Sequence, residues 1–277
     1  VKQEQGTFSA SGGLSLFYQS WLPDKSTRAA VVIVHGAGDH TGRFSRLVTP
    51  LVERGFGVFG YDMRGYGRSP GRRGHIDSWG DYREDLRAFL SQVAAWQPGK
   101  PLFLFGYSLG ALIALEYVLR GSQGLSGVIL SGTPIEPVGL AGPAKVFLSR
   151  VLSRVWPSFA IQLGNDVNGV SRDQGVKEDL LSDPLHHGWV TARWGTEAMT
   201  VRDWVNAHPA DLHLPVLFIH GEKDPFNTAS GVKRYYDQIP GQDKSVRIYP
   251  GCLHETHNDL DHAQVAADIA DWIEAHL

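Results

Sequence analysis

One cysteine, Cys252, in 277 residues leaves no partner for an intrachain disulfide, so the fold must be held by a packed core. No stretch approaches the roughly 20 apolar residues that a membrane-spanning helix needs, which restricts membrane contact to the periphery. The start, Val1-Lys2-Gln3-Glu4-Gln5, is polar and lacks the apolar segment of a secretory signal. Together with the lone cysteine, it makes the cytoplasm the expected compartment. Neither sign of charge predominates: 26 basic and 29 acidic side chains are scattered along the chain, with no basic footprint for nucleic acid. No internal repeat or low-complexity tract stands out.

What the chain does have is apolar material for a large core, 42% of its residues, arranged in short runs that end in Gly, Asp or Ser. These lie at 30–34, 58–61, 102–105, 128–130, 216–219 and 246–249. They are too short for buried helices and too continuous for half-exposed strands, the pattern of strands covered on both faces. Helical patterns separate them. Residues 77–96 repeat apolar positions at helical spacing up to Gln97-Pro98-Gly99, residues 109–119 form an apolar helix closed by Arg120-Gly121, and an amphipathic segment spans 260–277. Strand and helix in alternation predict an α/β fold with a mostly parallel sheet. Residues 7–10 and 14–21, around Gly12-Gly13, read as an antiparallel hairpin at its edge.

The strand rhythm stops between Pro134 and about Pro209. The expected organisation is therefore a core made of 1–133 and 210–277 with a mainly helical cap, 134–209, inserted between them. In the cap, Ala144, Phe147, Leu148, Val151, Leu152 and Val155 fall on one stripe of a helix over 144–156, with Lys145, Arg150 and Arg154 off it. Such a helix either packs over the core or offers apolar surface to a lipid interface. Phe147, Leu148 and Val151 are candidate substrate contacts.

Gly106-Tyr107-Ser108-Leu109-Gly110 is a Gly-x-Ser-x-Gly match, a pattern that would arise by chance in about one chain in four of this composition. Its position is what counts. It follows the 102–105 run directly and opens the 109–119 helix, the strand-turn-helix context of a nucleophile elbow. A serine hydroxyl needs a histidine base oriented by a carboxylate, arriving later in the order carboxylate then histidine. Asp224 follows the 216–219 run and His254 follows the 246–249 run, so both fall at carboxyl ends of strands; Glu222 and His257 are their rivals. Acyl transfer also needs N–H donors for the oxyanion. Leu109, directly after the serine, and Ala37, in the loop His35-Gly36-Ala37-Gly38, are the candidates. His35 is expected to shape that loop, and Asp62, Arg64 and Arg68 to fix the glycine-rich loop after 58–61. Gly36 and Tyr107 are further candidate substrate contacts. Cys252, two residues before His254, reads as a packed thiol or as a site whose modification blocks activity.

These residues together resemble the α/β-hydrolase family that includes monoacylglycerol lipases and bacterial lysophospholipase-like serine hydrolases. The resemblance rests on His35-Gly36-Ala37-Gly38-Asp39-His40-Thr41-Gly42-Arg43-Phe44, on residues 61–71 with Arg73-Gly74-His75, on the elbow, and on Ser171-Arg172 and Asp183-Pro184-Leu185 in the cap. It implies Ser108, Asp224 and His254 as a catalytic triad, Ala37 and Leu109 as the oxyanion hole, a cap lining an acyl tunnel, and glycerol esters as substrates. Tyr107 stands where that family often has His, and Ala111 where it often has a second Gly. The expected activity is hydrolysis of a single-chain lipid ester through an acyl-serine, with no metal or cofactor. Lysophospholipase and short-chain or aryl carboxylesterase activities are the alternatives, followed by peptidase or carbon–carbon hydrolase chemistry and a non-catalytic binding role. A dehalogenase or epoxide hydrolase would place Asp at position 108.

Overall fold

The computed structural model describes residues 2–139, 142–162 and 166–277, the side chains of residues 143–145 excepted. In chain order the described elements are β1 (Lys2–Ser9), β2 (Ser15–Leu22), β3 (Ala30–Val34), α1 (Ser45–Glu53), β4 (Gly57–Tyr61), α2 (Gly80–Trp96), β5 (Leu102–Tyr107), α3 (Leu109–Arg120) and β6 (Gly127–Ser131). They continue with α4 (Pro143–Val155), β7 (Ala160–Gln162), α5 (Gln174–Ser182), β8 (Trp189–Thr191), α6 (Ala192–Ala207), β9 (Val216–Gly221), α7 (Ala229–Gln238), β10 (Lys244–Tyr249) and α8 (His262–Glu274). Eight strands form one sheet in the order β1-β2-β4-β3-β5-β6-β9-β10. From β4 to β10 the neighbours are parallel, while β1 with β2 and β2 with β4 are antiparallel.

Alternation along the central strands builds two cores. Val31 and Ile33 of β3 face Leu47 and Leu51 of α1 and Val265, Ile269 and Ile273 of α8. Val32 and Val34 face the side covered by Leu86 and Phe89 of α2, Ile113 and Leu115 of α3, and Val232 of α7. Strands covered in this way need apolar residues at every position, hence the unbroken runs of the sequence. β10 departs from that expectation. It is the sheet edge, and its residues are mostly half-exposed.

Between β6 and β9, where the sequence predicts a cap over 134–209, the chain leaves the main sheet and contributes α4, α5 and α6. It also contributes a two-stranded antiparallel pair, β7 with β8. That pair was not expected, because three-residue strands are shorter than any alternation that periodicity can detect. The helix expected over 144–156 is present as α4, although the side chains of Ala144 and Lys145 lie outside the described residues. Among the described residues no helix is long and apolar enough to cross a membrane.

The glycine-rich loop after β4 is fixed by ionic contacts, as the sequence suggested. Buried Asp62 accepts from the Thr41 N–H and hydroxyl and from the Arg68 N–H. Arg64 is clamped by both oxygens of Asp85, at 2.6 and 2.7 Å, and donates to the Ser11 hydroxyl. Removing one partner of a buried pair strands the other charge. Asp85→Ala is expected to lower the unfolding free energy by about 3–5 kcal/mol, read as a lower urea midpoint, without raising KM for substrate.

Candidate active site

Ser108 sits between β5 and α3 with φ 52° and ψ −115°. It is the one non-glycine residue with positive φ among those described. Such backbone costs roughly 1–3 kcal/mol and persists only where its surroundings enforce it. Here they do. The Ser108 N–H donates to the Ser131 carbonyl at 2.8 Å, and the Ser108 carbonyl accepts from Ala111 and Leu112 in the first turn of α3. Both elbow glycines are required by contact. A Cβ on Gly106 would lie 2.4 Å from the Gly110 carbonyl oxygen, and one on Gly110 would lie 2.0 Å from that of Val34.

His254, on the loop after β10, has Nε2 at 2.9 Å from Ser108 Oγ and Nδ1 at 2.7 Å from Asp224 Oδ2. The tautomer that satisfies both contacts donates from Nδ1 to the carboxylate and leaves the Nε2 lone pair facing the hydroxyl. Asp224, on the loop after β9, is further fixed by the Phe226 and Asn227 N–H groups, which donate to Oδ1. Burial alone would raise its pKa. The His254 charge and the bonds from His220 and His254 outweigh burial and hold it well below the ordinary carboxylate range. The structure therefore brings together the three side chains expected of a triad, from three strand ends at the carboxyl edge of the sheet.

The rivals lie elsewhere. Glu222 is exposed and accepts from the Gly251 N–H. His257 is buried with its ring stacked 4.8 Å from that of Phe44, and neither ring nitrogen has a hydrogen-bond partner among the described residues. His35 is also buried. It accepts the Met63 N–H on Nε2 and donates from Nδ1 to the Gly36 carbonyl, which fixes the turn of its loop. Sequence reasoning missed His220, whose Nε2 lies 2.9 Å from the Asn227 carbonyl and 3.2 Å from Asp224 Oδ2. The available signal was its place four residues before Asp224 at the same strand end.

A cavity of about 640 Å³ opens on Ser108 and includes Ala37 and Leu109 in its wall. The rest is mostly apolar, with Leu112 from α3, Leu148 and Leu152 from α4, Phe159, Ile161, and Trp194, Ala198 and Met199 from α6. Arg202 is the one charged side chain among the described lining residues, and Asp203 engages its guanidinium at 2.6 Å. Four expected substrate contacts are not in this wall. Phe147 and Val151 fall on the outer side of α4, Phe147 being 70% exposed, because the helix turns only Leu148 and Leu152 of the expected stripe toward the cavity. Gly36 and Tyr107 lie beneath it. A Cβ on Gly36 would meet the Tyr107 ring at 2.8 Å, and that ring packs between His254 and His257.

Cys252 is buried, with Sγ at 3.2 Å from both Arg172 Nη2 and Asp261 Oδ2. Burial, with the Asp261 contact, pushes its thiol up to about 12. The reactive form of a cysteine is the thiolate, so this geometry favours the packed-thiol reading.

A mostly parallel sheet carrying a serine on the elbow after β5, with an acid and a histidine on the loops after β9 and β10, defines an α/β-hydrolase of the serine type. The chain belongs to the family described as serine aminopeptidase, S33, whose model matches residues 25–261. It is 30% identical over 276 residues to a monoacylglycerol lipase of Mycolicibacterium smegmatis, covering 99% of this chain and 98% of the relative. It is also 30% identical over 274 residues to a monoglyceride lipase of Rattus norvegicus, covering 96% and 88%. The structure of a soluble variant of monoglyceride lipase from Saccharomyces cerevisiae in complex with a substrate analog matches with a TM-score of 0.87 at 26% identity. That match covers 100% of this chain and 96% of the other.

Burial holds His257 down at about 4, below the 6.5 of a free imidazole. Between these values the unfolded chain binds a proton that the folded chain refuses, so stability is lost as pH falls from about 6.5 toward 4 and regained as it rises. The gap corresponds to roughly 3 kcal/mol. His257→Phe, which keeps the stack on Phe44, is expected to shrink the difference in urea midpoint between pH 5 and pH 7.5.

Proposed function

We propose that the protein hydrolyses single-chain lipid esters, most directly monoacylglycerols, through an acyl-serine. The observation that carries this reading is the apolar cavity opening on Ser108 Oγ. Ser108 attacks the ester carbonyl while its proton passes to His254 Nε2, and Asp224 holds the imidazolium that forms. The oxyanion of the tetrahedral intermediate receives the N–H groups of Ala37 and Leu109. Leu109 is in the first turn of α3, where helix N–H groups have no intrahelical acceptor. Ala37 takes no part in its loop's own bond from the Asp39 N–H to the Gly36 carbonyl. Collapse expels glycerol with a proton from Nε2. Water then attacks the acyl-serine with His254 as base, and the fatty acid leaves. This chemistry calls for neither metal nor cofactor.

The description of the family raises an aminopeptidase reading, which the charge of the cavity disfavours. A free amino terminus is a cation and would need a carboxylate to receive it. Among the described lining residues none is acidic, and the single charge, on Arg202, has the wrong sign. An alkyl chain suits this wall better, since it gains roughly 0.8 kcal/mol for each methylene it buries. Residues 134–209 act in this reading as the cap that builds the acyl site.

The outer side of the cap adds peripheral contact with lipid. Phe147, Val155 and Trp156 are large apolar side chains that are more than half exposed, with Arg150 and Arg154 exposed among them. Apolar residues flanked by cations suit an anionic lipid surface.

Ser108→Ala is expected to remove at least about 1000-fold of the kcat on monoacylglycerol while leaving the thermal midpoint within a few degrees. The wild type should cleave monoacylglycerol and leave aminoacyl anilides intact; the reverse preference sinks the lipid reading. Phe147→Ser should slow hydrolysis of substrate carried in anionic vesicles more than hydrolysis of a soluble short-chain ester. Equal effects on the two would confine the cap to covering the site.

A further inference from the structure

The oxyanion loop is held from the cap as well as from the core. Gly38, with φ +78°, follows Ala37 directly. Its carbonyl accepts the His187 N–H at 3.1 Å, and a Cβ at Gly38 would lie 2.4 Å from the His187 carbonyl oxygen. Two residues on, His40 Nδ1 accepts the Gly42 N–H, which leaves the proton on Nε2 to be donated to Asp183 Oδ2 at 2.7 Å. Asp183 is held in turn, since its Oδ1 accepts the Leu185 N–H. The His187 ring stacks on Tyr66 at 4.9 Å and Nε2 meets the Gly65 carbonyl at 3.1 Å, so the segment that carries these contacts is fixed to the loop after β4.

We infer that Asp183 and His40 form a positioning pair for the oxyanion hole, through which the base of the inserted segment sets the Ala37 N–H against the developing negative charge. The inference rests on the proposed hydrolytic function and assigns to it two residues outside the triad. The reason is preorganisation: a donor contributes most when it is fixed before the charge appears. On the core side the loop is anchored through Asp39, whose Oδ1 accepts the His40 N–H and lies 2.9 Å from Arg43 Nε, and through the Thr41 N–H on Asp62. The core also holds the Gly36 carbonyl, in the same peptide as the Ala37 N–H, through His35 Nδ1 and the Asp39 N–H, while the anchors through Asp39 and Thr41 lie two or more residues beyond Ala37. On the far side of Ala37 the loop is restrained by the cap, through the His187 N–H on the Gly38 carbonyl and through Asp183 on His40. Without the pair the fold keeps its core anchors and the His187 contact, while the loop beyond Ala37 loses its hold on the insertion through His40.

The test uses the full-length protein with Asp183→Ala, Asp183→Asn, His40→Ala and the double variant His40→Ala/Asp183→Ala. Kinetics on a soluble ester are combined with the affinity of a trifluoromethyl ketone, whose serine adduct places an oxyanion in the hole. Asp183→Ala should lower kcat by about 10- to 100-fold, less than the roughly 100- to 1000-fold that loss of a whole oxyanion donor costs, with KM changed less than about threefold. Affinity for the ketone should fall in proportion to kcat/KM. Asp183→Asn, which keeps an acceptor for His40 Nε2–H, should recover most of kcat, and the double variant should be no worse than the poorer single one. A folded Asp183→Ala with wild-type kcat and ketone affinity overturns the inference, as does a loss confined to KM. If Asp183→Ala does not fold, failure of Asp183→Asn and His40→Ala to shift kcat and ketone affinity together does the same. A wild type that neither hydrolyses esters nor binds the ketone overturns the proposed function itself.

Discussion

The site depends on the backbone of Ser108. Its φ of 52° lifts the hydroxyl out of the line of β5 and points it past the end of the sheet, a conformation an isolated chain would abandon. What holds it is the close approach of β3, β5 and α3, made possible by Gly106 and Gly110 and by the Ser108 N–H bond to the end of β6. Everything else is arranged around that point. β9 and β10 run parallel to β5 in the same sheet, so the loops that leave them bring Asp224 and His254 to the same edge. Register and strand order therefore perform the assembly, and side-chain chemistry completes it.

The inserted segment is built into this edge at two places. Near its middle, the Gly169 and Val170 carbonyls accept the His254 and Glu255 N–H groups, and Arg172 Nε donates to both carboxylate oxygens of Asp259 on the same loop. Further along, residues 183–191 contact the loops after β3 and β4 through Asp183, His187 and Thr191. The histidine loop and the loop after β3 thus each have one wall from the core and one from the insertion. Helix α4 differs, with Phe147, Val151 and Val155 turned away from the protein. An anchored base beneath an outer helix with exposed apolar side chains separates the part of the insertion that touches the site from the part that faces away from it.

Much of this was legible in the sequence, for reasons that differ by element. The buried strands were readable because a strand covered on both faces must be apolar throughout; β3 was expected at Ala30–Val34, where it lies. The elbow was readable because a tight strand-to-helix turn needs glycine at fixed offsets. Ser108, Asp224 and His254 were readable from chain order combined with strand ends. The short strands β7 and β8 carry too few residues for a period. Helices α1, α5, α6 and α7 were not singled out, and α1 contains Pro50, which a local reading takes for a break. The facing of α4 was not legible either. Its stripe is broad enough to pack or to face lipid, and tertiary contacts send Leu148 and Leu152 one way and Phe147 and Val151 the other. Tyr107 was misplaced because adjacency to the serine in sequence says nothing of direction, and its ring turns into the core behind His254. The pairing of His40 with Asp183 joins residues 143 positions apart, beyond any local pattern.

The central claim is that Ser108 is the nucleophile and that its activation belongs to the assembled triad. It is tested most directly by treating the folded protein with a fluorophosphonate and locating the adduct by peptide mass spectrometry. The account predicts one adduct per chain, on Ser108, formed by the wild type and not by His254→Ala over the same interval. Labelling at another residue, or labelling of Ser108 at an undiminished rate without His254, would contradict it.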